Sequence, residues 1–220
     1  MSTCCQTNPH QEGTNEFFTR FSKKYAKRFR KGKLEKVQRF LLEGVRKEPV
    51  TSKEILDIGC GVGSLHLTLL KEGAARAVGV DMAEGMLDKA KQFASQLGMA
   101  EKTEYVLGDF VERKNQLGNA DITILDKVVC CYEDVKTLME TSTQKTKSIY
   151  AFSHPRRSLL MKAIFKTQIF VCSLLRTSFR PHWHDWLWVR SLVTAQGFEL
   201  VYENATIAWQ VAVYKRISER

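Results

Sequence analysis

The chain has 220 residues, enough for one α/β domain with a sizeable core, or one domain with a small lid. A hydrophobic share of 44% and a charged share of 26% fit a soluble globular protein. They exclude a fibrous or disordered chain, the N-terminal stretch has no apolar segment of a secretory signal, and no apolar run is long enough to span a bilayer. The net charge of +10 is uneven. Residues 1–50 hold 12 basic and five acidic side chains, residues 51–155 hold 12 and 15, residues 156–180 hold six and none, and residues 181–220 hold four of each. Two basic segments therefore flank a mildly acidic centre. Six cysteines include the adjacent pairs Cys4–Cys5 and Cys130–Cys131, without the spaced framework of a small secreted fold, so a reducing, cytoplasmic setting is expected.

Residues 1–15 are polar and turn-rich and are expected to form a flexible tail. Phe17, Phe21, Tyr25 and Phe29 then recur at helical spacing among many Lys and Arg, and Gly32 breaks that helix. Leu34, Val37, Leu41 and Val45 mark a second helix, closed near Pro49. Residues 16–50 thus predict a basic helical cap. Short apolar runs alternating with helices follow. EILDIG, RAVGVD, TEYVLGD, DITILD and SIYAFSHP read as strands, while SLHLTLLKEG and AEGMLDKAKQFASQLG read as helices. Strands interleaved with helices at this spacing predict βαβ units and a parallel sheet. Residues 158–178 predict an apolar helix with a narrow polar stripe, and LWVRSLVTAQG a further helix ending at Gly197. FELVYENATIAWQVAVYKR reads as two strands with a turn near Asn204, an antiparallel hairpin closing the sheet.

The stretch ILDIGCGVGSL carries the most chemistry. It joins a strand to a helix, where glycines permit a tight turn and let helix-start amides face a ligand. A dinucleotide loop reads G-x-G-x-x-G, but Ser64 stands at its third glycine and Gly63 one place earlier, giving D-x-G-x-G-x-G from Asp57 through Gly59, Gly61 and Gly63. Asp81 ends the second strand, where a carboxylate can take both hydroxyls of a ribose. Asp109 follows the third. Three carboxylates at one sheet edge repel a diphosphate and suit a cationic adenosyl compound.

In this order and spacing, ILDIGCGVGSL, VGVD followed by Met82, LGDF, ADITILD and the terminal hairpin resemble the class I S-adenosylmethionine-dependent methyltransferases, over about residues 52–215. The resemblance implies a Rossmann-like α/β fold, with a seven-stranded, mostly parallel sheet whose last strand is antiparallel. Helices cover both faces, and the methyltransferase domain spans 51–220 with a helical lid at 156–185. It implies S-adenosyl-L-methionine as cofactor. Asp57, Gly59, Gly61 and Gly63 would line its methionine part, Cys60 would lie beneath it as a small residue, and Asp81 would hold the ribose. Met82 would pack on the adenine, with Asp109 accepting from the adenine amine and Phe110 beside the ring. Within the class, the layout resembles the small-molecule branch that acts on magnesium-protoporphyrin and quinone precursors.

Methyl transfer needs an aligned nucleophile, and a base only where the acceptor is protonated. Asp126, at the end of the fourth strand, is one candidate, weighed against a structural cap. His154, after the fifth strand, is another. Cys130 and Cys131 are expected to pack as small apolar residues, and His182 and His184 within an aromatic turn, so no metal is expected. The two basic segments flank the expected pocket. They predict a small anionic or apolar-anionic acceptor first, an anionic membrane surface second and nucleic acid third. A cofactor-binding scaffold without catalysis is the alternative of another class.

Overall fold

The computed structural model describes residues 9–174 and 181–217. Its elements are α1 (Pro9–Arg30), α2 (Lys36–Val45), β1 (Glu54–Ile58), α3 (Ser64–Lys71), β2 (Arg76–Asp81), α4 (Glu84–Gln96), β3 (Thr103–Leu107), α5 (Phe110–Arg113), β4 (Ala120–Leu125), α6 (Val135–Gln144), β5 (Thr146–Pro155), α7 (Leu159–Leu174), α8 (Trp186–Ala195), β6 (Phe198–Ala205) and β7 (Trp209–Arg216). The seven strands form one sheet in the order β3-β2-β1-β4-β5-β7-β6. β7 runs antiparallel to both of its neighbours, and the other pairings are parallel. This is the architecture expected from the sequence.

Alternation along the strands feeds two cores. Ile55, Ile124, Ala151 and Val213 face α2, α3 and α4, while Leu56, Leu125, Tyr150, Phe152 and Ala212 face α6 and α8. β1 lies between β2 and β4. The strand order therefore reverses beside β1, and the crevice beyond its C-terminal end is where open α/β sheets bind ligands.

Several expectations shift. The first helix starts at Pro9, so residues 9–15 of the expected tail are helical; residues 1–8, with Cys4 and Cys5, lie outside the described residues. Asn15 Oδ1 accepts from Glu84 N at 3.2 Å and Thr19 Oγ1 from Gly85 N at 3.3 Å, so α1 caps the first turn of α4. A Cβ on Gly85 would lie 2.6 Å from Thr19 Cγ2, so the glycine permits this close approach. The apolar helix expected over 158–178 is described as far as Leu174. Its remainder, and residues 175–180 of the expected lid, lie outside the described residues. The final turn follows Ala205, near Asn204 as expected, and the Thr206 hydroxyl, accepting from Trp209 N at 2.8 Å, builds it.

Candidate active site

The loop after β1 folds back over β2: Gly59 N donates to Val80 O at 2.7 Å and Cys60 N to the same oxygen at 3.1 Å. Two glycines carry the geometry. Gly59 has φ +65°, and a Cβ there would sit 2.3 Å from Val128 Cγ2. Gly61 has φ +55° and open space where a Cβ would project. The loop forms one wall of a cleft of about 940 Å³, counted to its mouth.

The cleft brings together most of the residues expected from the sequence. Asp57, Gly59, Cys60, Gly61, Asp81, Met82, Phe110 and Asp126 all line it. Gly63 stands behind the wall, at the start of α3. Asp109 also lies outside the lining; its Oδ1 accepts from Val111 N at 2.7 Å and Glu112 N at 3.3 Å, capping α5.

Asp81 reaches across the loop. Its Oδ2 accepts from Gly61 N at 2.7 Å and its Oδ1 from Ala83 N at 2.8 Å. Burial raises its pKa to about 6, with those amides opposing the rise. Each oxygen keeps a lone pair for a hydroxyl in the cleft. Asp57 is buried, and its Oδ2 lies 2.8 Å from His66 Nδ1. His66 Nε2 is 3.1 Å from the Tyr105 hydroxyl. The Tyr105 hydroxyl also donates to Ala90 O at 3.3 Å, so the imidazole is held between Asp57 and a phenol that is itself anchored. Burial holds the Tyr105 phenol above its ordinary value, consistent with a donor. This relay fixes the carboxylate at the foot of the loop. His66 reads from sequence only as a core residue, and its partners are distant in the chain.

The mouth of the cleft is built by α1, α2 and the loop after β4. Thr14, Phe18 and Tyr25 from α1, Gln38 from α2, and Lys127, Val128, Cys131 and Tyr132 line it. Lys127 has φ +62°, in the left-handed region, and its amide donates to Ser153 Oγ at 2.8 Å. Its ammonium is held by Glu35, which also pairs with Arg28. Asp126 Oδ1 accepts from Ser153 Oγ at 2.8 Å; burial raises its pKa, while Lys127 and that hydroxyl oppose the rise. Among the described residues, Lys127 is the one cation lining the cleft, and the described basic side chains of α1 stand outside its lining.

The second candidate base is placed elsewhere. Ser153 points to Asp126, so His154, its neighbour on the strand, points to the opposite face. His154 is buried and stacks on Trp186 with ring centroids 5.0 Å apart. Its Nδ1 hydrogen-bonds Pro155 O at 2.9 Å, and burial lowers its pKa to about 4. It does not line the cleft.

Burial pushes the Cys60 thiol well above its ordinary value, and Cys130 together with burial does the same to Cys131. His184 Nε2 lies 2.8 Å from Tyr132 O, and among the described residues no group of three or more His, Cys, Asp or Glu is placed to hold a metal ion.

Residues 55–148 match a family described as a methyltransferase domain. That match takes in a little under half of the chain. The glycine loop, Asp81 and the segment ending β4 all fall within it. Over 61 residues the chain is 33% identical to a sterol 24-C-methyltransferase of Aspergillus fumigatus, a match covering 28% of this chain and 16% of that protein. Over 58 residues it is 38% identical to a ribosomal protein L11 methyltransferase of Serratia proteamaculans, covering 26% and 20% respectively. These matches span a fifth or less of the relatives' length. A solved magnesium protoporphyrin IX methyltransferase from Synechocystis PCC 6803, with S-adenosylmethionine bound, superposes with a TM-score of 0.66. It is 18% identical, and the superposition covers 98% of this chain and all of that one. The chain therefore shares the Rossmann-like fold of that methyltransferase.

Proposed function

We propose that the protein transfers a methyl group from S-adenosyl-L-methionine to a small acceptor with an apolar body. The observation that carries this reading is the cleft itself, in which Asp57, Gly61 and Asp81 converge at the reversal point of the sheet. When bound, the cofactor supplies an electrophilic methyl group on a sulfonium. Asp81 holds the ribose hydroxyls, and the Gly59–Gly61 backbone admits the methionine part beside Asp57. Met82 and Phe110 flank the adenine, Asp109 caps α5 beside that end of the cleft, and Cys60 is a filler under the loop.

Tyr25, Gln38, Asp126 and Lys127 form the acceptor end. Asp126 takes the acceptor proton; its burial and the Ser153 hydrogen bond hold it there. His154 stacks under the sheet and orients no substrate. Lys127 is already paired with Glu35, which favours the apolar-anionic acceptor over a small polar anion. The basic side chains of α1 lie outside the cleft wall and act in docking rather than in acceptor binding.

The test is incubation of methyl-labelled cofactor with fractionated cell extract, using the full chain and Asp126→Asn. Label entering an organic-soluble small molecule, and falling steeply in the variant, is the expected outcome. Label confined to RNA or protein would overturn the acceptor class. S-adenosylhomocysteine binding without any transfer would favour the scaffold alternative.

A further inference from the structure

Helix α7 is apolar on two faces. Its inner face, Met161 and Phe165, is buried, and the Phe165 ring meets Trp183 edge-on at 5.3 Å. Its outer face is also apolar. Leu159, Phe170 and Leu174 are 88%, 68% and 72% exposed, and with Ala163 they follow one another at spacings of four, seven and four. That spacing lines them up along one side of the helix. Leu160 and Ile164, also exposed, flank this line on one side. Lys162 and Lys166 flank it on the other, and Arg156 and Arg157 lead into the helix. Residues 156–174 contain no Asp or Glu.

An exposed apolar strip of this kind, broken by Thr167 between Ala163 and Phe170, marks an interaction surface. Its charge selects the occupant. A symmetric pairing of two copies through this strip would set the lysines of one against those of the other. An anionic bilayer accepts the leucines and phenylalanine at its acyl boundary and the lysines at its phosphates. The helix lies on such a surface rather than crossing it, because among the described residues no helix is long and apolar enough to span a membrane.

We infer that α7 lies in the plane of an anionic lipid surface, inserting Leu159, Phe170 and Leu174, with Lys162 and Lys166 on lipid phosphates. Phe165 and Met161 belong to the same apolar cluster as Val128, Cys131 and Tyr132, which wall the cleft. The supply of an apolar acceptor from the bilayer rests on the methyl-transfer reading; the lipid contact does not.

Flotation of the full chain tests the inference, with vesicles of phosphatidylcholine alone and of phosphatidylcholine mixed with phosphatidylserine. Binding to the mixed vesicles only, reversed by salt, is expected. Each lysine near the surface is worth about fivefold in partition, so Lys162→Gln with Lys166→Gln weakens binding about 25-fold at low salt. Leu159→Gln with Phe170→Gln abolishes it. Melting curves of both double variants establish that they fold. No flotation with the mixed vesicles, or equal flotation of wild type and a folded double variant, would overturn the inference. So would a dimer that dissociates in the Leu159/Phe170 variant without lipid binding. Failure of the chain to bind S-adenosylhomocysteine, with flotation intact, would strike the methyltransferase reading and leave this one standing.

Discussion

Replacing His66 with Leu isolates the pair beneath the glycine loop. Asp57 and His66 have side chains 2% and 0% exposed, and their contact is 2.8 Å. The substitution leaves the Asp57 carboxylate buried without its imidazole donor. Removing one partner of a buried pair costs about 3–5 kcal/mol. Each kcal/mol moves the melting temperature of a domain of this size by about 2–4 °C. A loss of about 3 kcal/mol therefore lowers Tm by about 6–12 °C, measured by circular dichroism of the chain without ligand. Replacing both residues, Asp57→Leu with His66→Leu, removes the stranded charge and recovers much of that loss. Tyr105→Phe removes the hydroxyl's contacts with His66 and with Ala90 O, each worth about 1 kcal/mol, and lowers Tm by about 4–8 °C. A His66→Leu chain melting within about 1 °C of wild type would refute the claim that His66 holds the carboxylate.

Gly61→Ala strains a backbone at φ +55° and projects a methyl into open cleft space, so it costs only about 1–2 kcal/mol of stability yet weakens S-adenosylhomocysteine binding sharply. Unchanged affinity by calorimetry would remove Gly61 from the cofactor wall. With its pKa raised to about 6, Asp81 takes up a proton as pH falls through that value, so affinity drops about tenfold between pH 7 and pH 5. An affinity flat over that range would contradict an ionised Asp81 as acceptor. For His154 the folded pKa is depressed to about 4, so the unfolded chain binds the proton first and stability falls as pH drops from about 6.5 towards 4. The loss reaches about 3 kcal/mol, and His154→Phe, which retains a ring against Trp186, flattens that part of the urea-denaturation profile. An unchanged profile would show the proton going elsewhere.

The glycine-loop wall of the cleft was legible because its geometry is local. Asp57, Gly59 and Gly61 sit within one turn of chain, and Asp81 ends a strand whose register beside β1 follows from βαβ order. What escaped the sequence depends on distant partners. The segment Pro9–Asn15 reads as a tail because it is polar and contains Gly13; its ordering comes with α1, whose Asn15 caps a helix almost 70 residues away. Helix α6 escaped because its sequence, VKTLMETSTQ, is rich in hydroxyls that look like a loop. In place, Ser142 and Thr143 turn back onto Leu138 O and Met139 O, each at 2.7 Å, and Asp134 caps the first turn. The two candidate bases illustrate a further limit. Asp126 and His154 both lie near strand ends, but strand alternation sends His154 to the face away from the cleft, and only the Ser153–Asp126 contact makes that visible.

The central claim is that this cleft binds an adenosyl sulfonium cofactor through Asp81. Titrating S-adenosylhomocysteine into the full chain and its Asp81→Ala variant tests it most directly. Hydrogen bonds to a charged group are worth about 1.5–3 kcal/mol, so one-to-one binding to the wild type should weaken by about 10- to 150-fold in the variant. No binding to the wild type, or equal affinity for both chains, would contradict the account.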